Sequence, residues 1–195
     1  MENNRRRPAI KERNRIALAF LELAKDKIFQ KLAEEKKMSL IREVLLIGDE
    51  AAKRIIAEYK TNDPRKIAAQ LGVRVLGEGS GKKLRSEYRK DKKEIAVSRK
   101  FHEKLLREVH SAELSDNLLK FVVAHELFHH LESSQLGEIY KNFRFKSWQL
   151  GPWVKHRFIK GLSDVAAQAF TESLLGLEIS PEIFAYLTYI LYTAP

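Results

Sequence analysis

Asn117-Leu118-Leu119-Lys120-Phe121-Val122-Val123-Ala124-His125-Glu126-Leu127-Phe128-His129-His130-Leu131-Glu132 decides how the rest of the chain is read. Neither proline nor glycine interrupts residues 115–136, and the run is largely apolar, so it predicts one buried helix of about twenty residues. Ser115 or Asp116 stands where a cap would start it. Residues four apart share a helix face with Cβ atoms about 5 to 6 Å apart, so His125 and His129 offer imidazole nitrogens to one point. Glu126 is too short-armed to be a good third donor in that register but reaches a water held there. H-E-x-x-H is the spacing of a catalytic metal centre, with the glutamate as general base in peptide hydrolysis. The bland alternative is a pair of ordinary helix histidines satisfied by neighbours.

Composition narrows the chemistry. With 195 residues and 44% apolar content, the chain suits one well-packed domain with an appended helical segment, not two independent domains. The absence of cysteine removes disulfides and thiolate metal sites, so zinc would rest on histidine, carboxylate and water, which favours a catalytic over a structural ion. Arg5-Arg6-Arg7 precedes an apolar patch, Ile16 to Ala24, but Glu22 interrupts it and no small-residue cleavage site follows, so export is not expected. The apolar run Ile183 to Tyr192 is well short of the roughly 20 residues a membrane span needs. The expectation is a cytoplasmic protein without a membrane.

The net charge of +10 is uneven: residues 1–60 hold 15 basic and 10 acidic side chains, residues 61–112 hold 14 and 7, and residues 113–195 hold 7 and 9. A basic front half suits nucleic acid or an acidic partner, although lysine-rich helix faces are commonly just solvated.

Along the chain, Pro8 to Lys37 reads as a helix striped by Ile16, Phe20 and Leu23, continued by Ile28 and Leu32. Ser39 is placed to cap a second helix ending near Thr61. Asp63-Pro64 opens a short helix that Gly72 closes. Val73 to Leu76, Leu84 to Arg89 and Glu94 to Ser98 read as three short strands, with glycines 77, 79 and 81 marking a loose connection and Lys90 to Lys93 a charged turn. Phe101 to His110 reads as a helix whose His102 and His110 are surface or packing residues. The aromatic stretch Gly137 to Lys160 is either a cluster covering the core or a substrate wall. Helical spacing returns over Leu162 to Leu177, and a last helix spans Pro181 to Tyr192.

A catalytic zinc takes three protein ligands and keeps a position for water. Downstream candidates for the third are Glu132, Glu138, His156, Asp164, Glu172 and Glu178. Glu132 lies too far along the same helix to close a tetrahedron. Asp164 sits in the first turn of another helix, where it would otherwise complement the helix dipole or act as a cap. Glu172 and His156 remain alternatives on spacing alone.

Four stretches in order resemble the ImmA/IrrE family of zinc metallopeptidases: Asp63-Pro64-Arg65-Lys66-Ile67-Ala68-Ala69-Gln70-Leu71-Gly72-Val73-Arg74-Val75, Glu94-Ile95-Ala96-Val97-Ser98, Ala124-His125-Glu126-Leu127-Phe128-His129-His130-Leu131, and Asp164-Val165-Ala166-Ala167-Gln168-Ala169-Phe170-Thr171-Glu172-Ser173-Leu174-Leu175. The resemblance spans residues 40–177. It implies an α+β, mainly helical zincin-like domain, taken as residues 39–195, with a small three-stranded sheet; residues 1–38 fall outside the resemblance and read as an added basic helical extension. It further implies zinc held by His125, His129 and Asp164, with Glu126 as base, in a cytoplasmic endopeptidase that cleaves a DNA-bound repressor. This chain has Asp164 where the family commonly has glutamate, which asks the helix to approach by about one methylene. Thr171 and Gly176 also depart from the pattern, and the stretch between His129 and Asp164 is long.

On this reading His130, Tyr140 and His156 are candidate donors to the oxyanion, and Glu94 to Ser98 would pair with an extended substrate. Two histidines and a carboxylate also accommodate manganese, cobalt or iron. Rival readings are a regulatory binding protein that keeps the metal without cleaving, and a DNA-associating protein driven by the basic helices of residues 1–60.

Overall fold

Two long helices and the motif helix dominate the computed structural model, which describes residues 3–78, 86–98, 103, 112–150 and 153–177. In chain order these are α1 (Asn3–Leu23), α2 (Lys27–Gln30), α3 (Glu34–Tyr59), α4 (Pro64–Gln70), β1 (Arg74–Glu78), β2 (Glu87–Arg89), β3 (Glu94–Ser98), α5 (Ala112–Leu131), β4 (Phe145–Leu150), β5 (Trp153–Arg157) and α6 (Gly161–Leu175). A π-helical turn, Glu132–Leu136, and a 3-10 turn, Ile139–Asn142, follow α5. The fold is α+β: mostly helical, with one three-stranded mixed sheet and a separate hairpin. No described helix is long and apolar enough to cross a membrane.

The expected single helix over Pro8 to Lys37 is three pieces. Asp26 breaks it, its carboxylate accepting from the amides of Ile28 at 2.7 Å and Phe29 at 3.2 Å and so capping α2. The reversal sets the Phe29 ring edge-on to Phe20, centroids 5.4 Å apart, with the Lys37 ammonium 5.8 Å from both centroids. It also turns Leu18, Ala19 and Leu23 inward, while Ile16 and Phe20 are only partly covered. Helix α3 starts at Glu34, ahead of the expected cap Ser39, with no side-chain cap at Ala33. Asp63 and Pro64 start α4 as read, and Gly72 ends it at φ +70°.

Helix α3 lies against α6, and Gly48 permits the approach. A Cβ there would meet the Ala166 carbonyl oxygen at 2.3 Å and the Ala169 Cβ at 2.7 Å. Ile41, Val44, Ala52 and Ile55 from α3, Leu127, Phe128 and Leu131 from α5, and Leu162, Val165 and Phe170 from α6 fill one core, which Ala19, Leu23 and Phe29 join from the first 38 residues.

In the sheet β3 is central, parallel to β1 and antiparallel to β2. This corrects the expectation that Glu94 to Ser98 offers an edge to substrate, because both its sides are paired. Among the described residues the edge beside α5 is β2. The aromatic stretch forms the antiparallel pair β4–β5, with an irregularity between Lys146 and Trp148. Apart from Glu103, which is helical, the expected helices Phe101 to His110 and Pro181 to Tyr192, with His102 and His110, and Glu178 lie outside the described residues.

Candidate metal centre

Helix α5 begins at Ala112, so Ser115 and Asp116 are interior residues and not caps. Ser115 is buried, and Asp116 forms ion pairs with Arg65 and Lys120, each at 2.8 Å. Further along, Val123, Ala124, Leu127, Phe128 and Leu131 all turn to the core. That commitment leaves His125, Glu126 and His129 on a half-buried face toward the start of α6.

The His125 and His129 rings stand edge to face, centroids 5.1 Å apart. Asp164 arrives from the first turn of α6, its Oδ1 4.0 Å from His125 Nε2 and 3.6 Å from His129 Nε2. One donor atom from each of the three lies within 4.8 Å of the others. Donors in a tetrahedron with bonds of about 2.0–2.1 Å are about 3.3 Å apart, so small side-chain adjustments bring these three onto one ion. Asp164 thus comes within reach of both imidazoles despite its short arm, because the first turn of α6 lies close to them.

Glu132 holds this approach in place. Its buried carboxylate lies 3.1 Å from His129 Nδ1, accepts the Ile139 amide at 2.7 Å, and accepts the hydroxyl of Ser163, the residue before Asp164. One side chain thus ties the end of α5, the turn after it and the start of α6 together. Fixing Nδ1 leaves His129 Nε2 facing Asp164, as metal-binding histidines require. Sequence reasoning set Glu132 aside as a ligand, and the structure puts it behind His129, a candidate ligand. The signal was an acid three residues past the second histidine, within one helical turn of it.

Glu126 accepts the Tyr88 backbone amide at 2.8 Å, which anchors it to strand β2. Burial pushes its carboxyl up to about 7, against the opposing influence of His129 and the Tyr88 amide. For His125, burial and the neighbouring His129 charge lower the imidazole to about 4, Asp164 opposing. Burial acts to lower His129 too, but its bonds to Asp164 and Glu132 and the nearby carboxylates raise it to about 10. Burial would raise Asp164, yet the His129 bond and the charges of His125, His129 and Lys25 hold it below the usual range. In the metal-free protein one proton is therefore held at His129, while His125 is neutral.

The other candidates are elsewhere. Glu172, at the far end of α6, is buried against Arg15 Nε at 2.8 Å. Glu138 pairs with Lys141, and His156 lies on β5. Of the expected oxyanion donors, His130 is buried with Nδ1 2.7 Å from the Tyr88 hydroxyl, and Tyr140 donates to Glu138 at 3.0 Å. Among the described residues neither these two nor His156 bonds to the triad.

Compared with known protein families, curated proteins and solved structures, the chain matches none.

Proposed function

We propose that the chain is a zinc-dependent endopeptidase with a zincin-like site, acting on a cytoplasmic protein. The observation that carries this reading is the convergence of His125, His129 and Asp164 beside a buried Glu126. All three donors are nitrogen or oxygen, as zinc accepts and as a chain without cysteine must supply. An ion held there supplies a Lewis acid and an acidified water. Glu126, raised toward neutrality, takes a proton from the attacking water and returns it to the leaving amine. The Tyr88 amide keeps the carboxylate aimed. Strand β2, not β3, is the edge along which an extended peptide would run. The resemblance to the ImmA/IrrE peptidases supports a transcriptional repressor as the substrate, and the basic front half suits work near nucleic acid.

The test pairs metal analysis with hydrolysis of unfolded casein. Wild type should hold about one zinc, and His129→Ala and Asp164→Ala should hold almost none. Glu126→Gln should keep the metal and lose about 100- to 10,000-fold in rate. Unchanged hydrolysis by Glu126→Gln would overturn the reading.

A further inference from the structure

A shallow, cationic surface pocket of about 590 Å³ opens between the α1–α2 junction, the turn after α5 and the residues that lead into α6. Lys25 and Lys27 reach it from the α1–α2 junction, Lys141 from the turn after α5, and His156, Arg157 and Lys160 from β5 and the start of α6. Its one carboxylate, Asp26, already accepts two backbone amides as the cap of α2. Among the described residues Lys25 pairs with Glu22 alone, 3.0 Å away at an exposed position where an ion pair contributes little. Lys141 is matched by Glu138. Among the described residues no carboxylate pairs with Lys27, Arg157 or Lys160. The pocket's charge is thus largely uncompensated.

Its position is tied to the triad through the chain. Lys160 precedes Asp164 by about one helical turn, and Lys25 is close enough for its charge to act on Asp164. Tyr140 and Phe158 meet edge to face at 6.0 Å in the pocket lining, and Tyr140 follows Ile139, whose amide binds Glu132. A volume of this size suits one or two side chains with an apolar contact. A duplex, by contrast, needs an extended track of cations to follow its phosphates.

We propose that this pocket is a substrate subsite for acidic side chains, seating an aspartate or glutamate of a peptide whose scissile bond lies at the His125–His129–Asp164 centre. The proposal rests on the peptidase reading and names its substrate class: peptides with an acidic residue within a few positions of the cleaved bond. Charge complementarity then sets both encounter and register, which are the properties that fixed charges at a rim control.

The test uses full-length, zinc-loaded Glu126→Gln protein, in which binding is read without turnover. Fluorescein-labelled hexaglutamate and hexaglutamine are titrated and followed by anisotropy at low and high salt. Hexaglutamate should bind tighter by about tenfold or more, with the preference shrinking as salt screens it. Arg157→Glu with Lys160→Glu should abolish the preference while leaving zinc content unchanged. The milder Arg157→Gln with Lys160→Gln should reduce it, and serves if the reversal fails to fold. Equal affinity for the two peptides, or a preference indifferent to both double variants, overturns the subsite. Loss of duplex DNA binding in those variants with hexaglutamate binding intact overturns it in favour of nucleic acid. Casein hydrolysis separates the two levels: if it depends on Glu126 but no charge preference exists, only the subsite fails. If acidic peptides bind as described but nothing is cleaved, the peptidase reading fails and takes the subsite's catalytic role with it, leaving a binding site for acidic peptides.

Discussion

A buried carboxylate sits at each end of helix α6, Glu132 packed against its start and Glu172 near its end, and the two are held differently. Near its start Glu132 is satisfied by an imidazole, an amide and a hydroxyl, so no full cation neutralises it apart from the proton His129 retains. Near its end Glu172 meets the Arg15 guanidinium directly, while the same arginine grips Asp49 at 2.7 and 3.0 Å and Ser173 donates to Asp49 at 2.5 Å. A carboxylate matched by arginine is spent on docking α1 against α3 and α6. A carboxylate matched by a histidine passes its charge to whatever that histidine binds. Burial alone therefore does not mark a functional acid. The nature of its partner does.

The largest effect expected from this contrast is on folding. Arg15→Ala removes the guanidinium that Glu172 and Asp49 share, and should cost about 3–5 kcal/mol in denaturant unfolding while zinc content in the folded protein stays the same. Zinc lost in parallel with stability would erase the distinction between the two ends. Glu132→Gln should do the reverse, weakening zinc by about 10- to 100-fold in competition with a chelator. An unchanged zinc affinity would reduce Glu132 to a structural clamp like Glu172. Gly48→Ala tests the packing that holds both ends, since its Cβ has no room against Ala166 and Ala169. It should destabilise by about 1–3 kcal/mol in thermal unfolding, with the zinc affinity of the folded state little altered.

The smallest effect is in protons. His129 is raised to about 10 in the metal-free protein and His125 lowered to about 4, so at pH 8.5 one imidazole proton must leave when an ion binds. Calorimetry in buffers of different ionisation enthalpy should report release of at least one proton per zinc, and none would show that His129 holds no proton for the ion to displace. The sign for stability follows. A histidine whose folded pKa is raised stabilises the metal-free protein fully below about 6.5, and that contribution is lost as pH rises through about 10. No such loss is expected at the arginine-matched end over this range, since burial, which acts to lower Arg15, is outweighed by its bonds to Asp49 and Glu172 and its pKa is raised.

What was legible in the sequence tracks the range of the interaction. The Asp63-Pro64 start of α4, its Gly72 stop and the strand Glu94–Ser98 were read as they stand, because each is set by neighbours in sequence. Boundaries failed where long-range partners intervened. Asp116 resembles a cap but is held by Arg65, 51 residues earlier, and the Asp26 break hid inside an apolar trend that continues on both sides. The hairpin β4–β5 was unread because its aromatic run carries no clear alternation. The central place of β3 was invisible, since strand order is a property of the sheet and not of the strand.

By itself the sequence determined that His125 and His129 share a face with Glu126 beside them, because a helix fixes the relation of residues four apart whatever surrounds it. Spacing set Glu132 aside and favoured Asp164 over Glu172 and His156, but it could not say what any of these side chains meets. Only the tertiary structure decided that Asp164 faces the imidazoles, Glu132 stands behind one of them, and Glu172 is taken by Arg15. The physical reason is that a carboxylate's role is set by the charge and donors it meets, and those come from segments up to about 160 residues away in the chain.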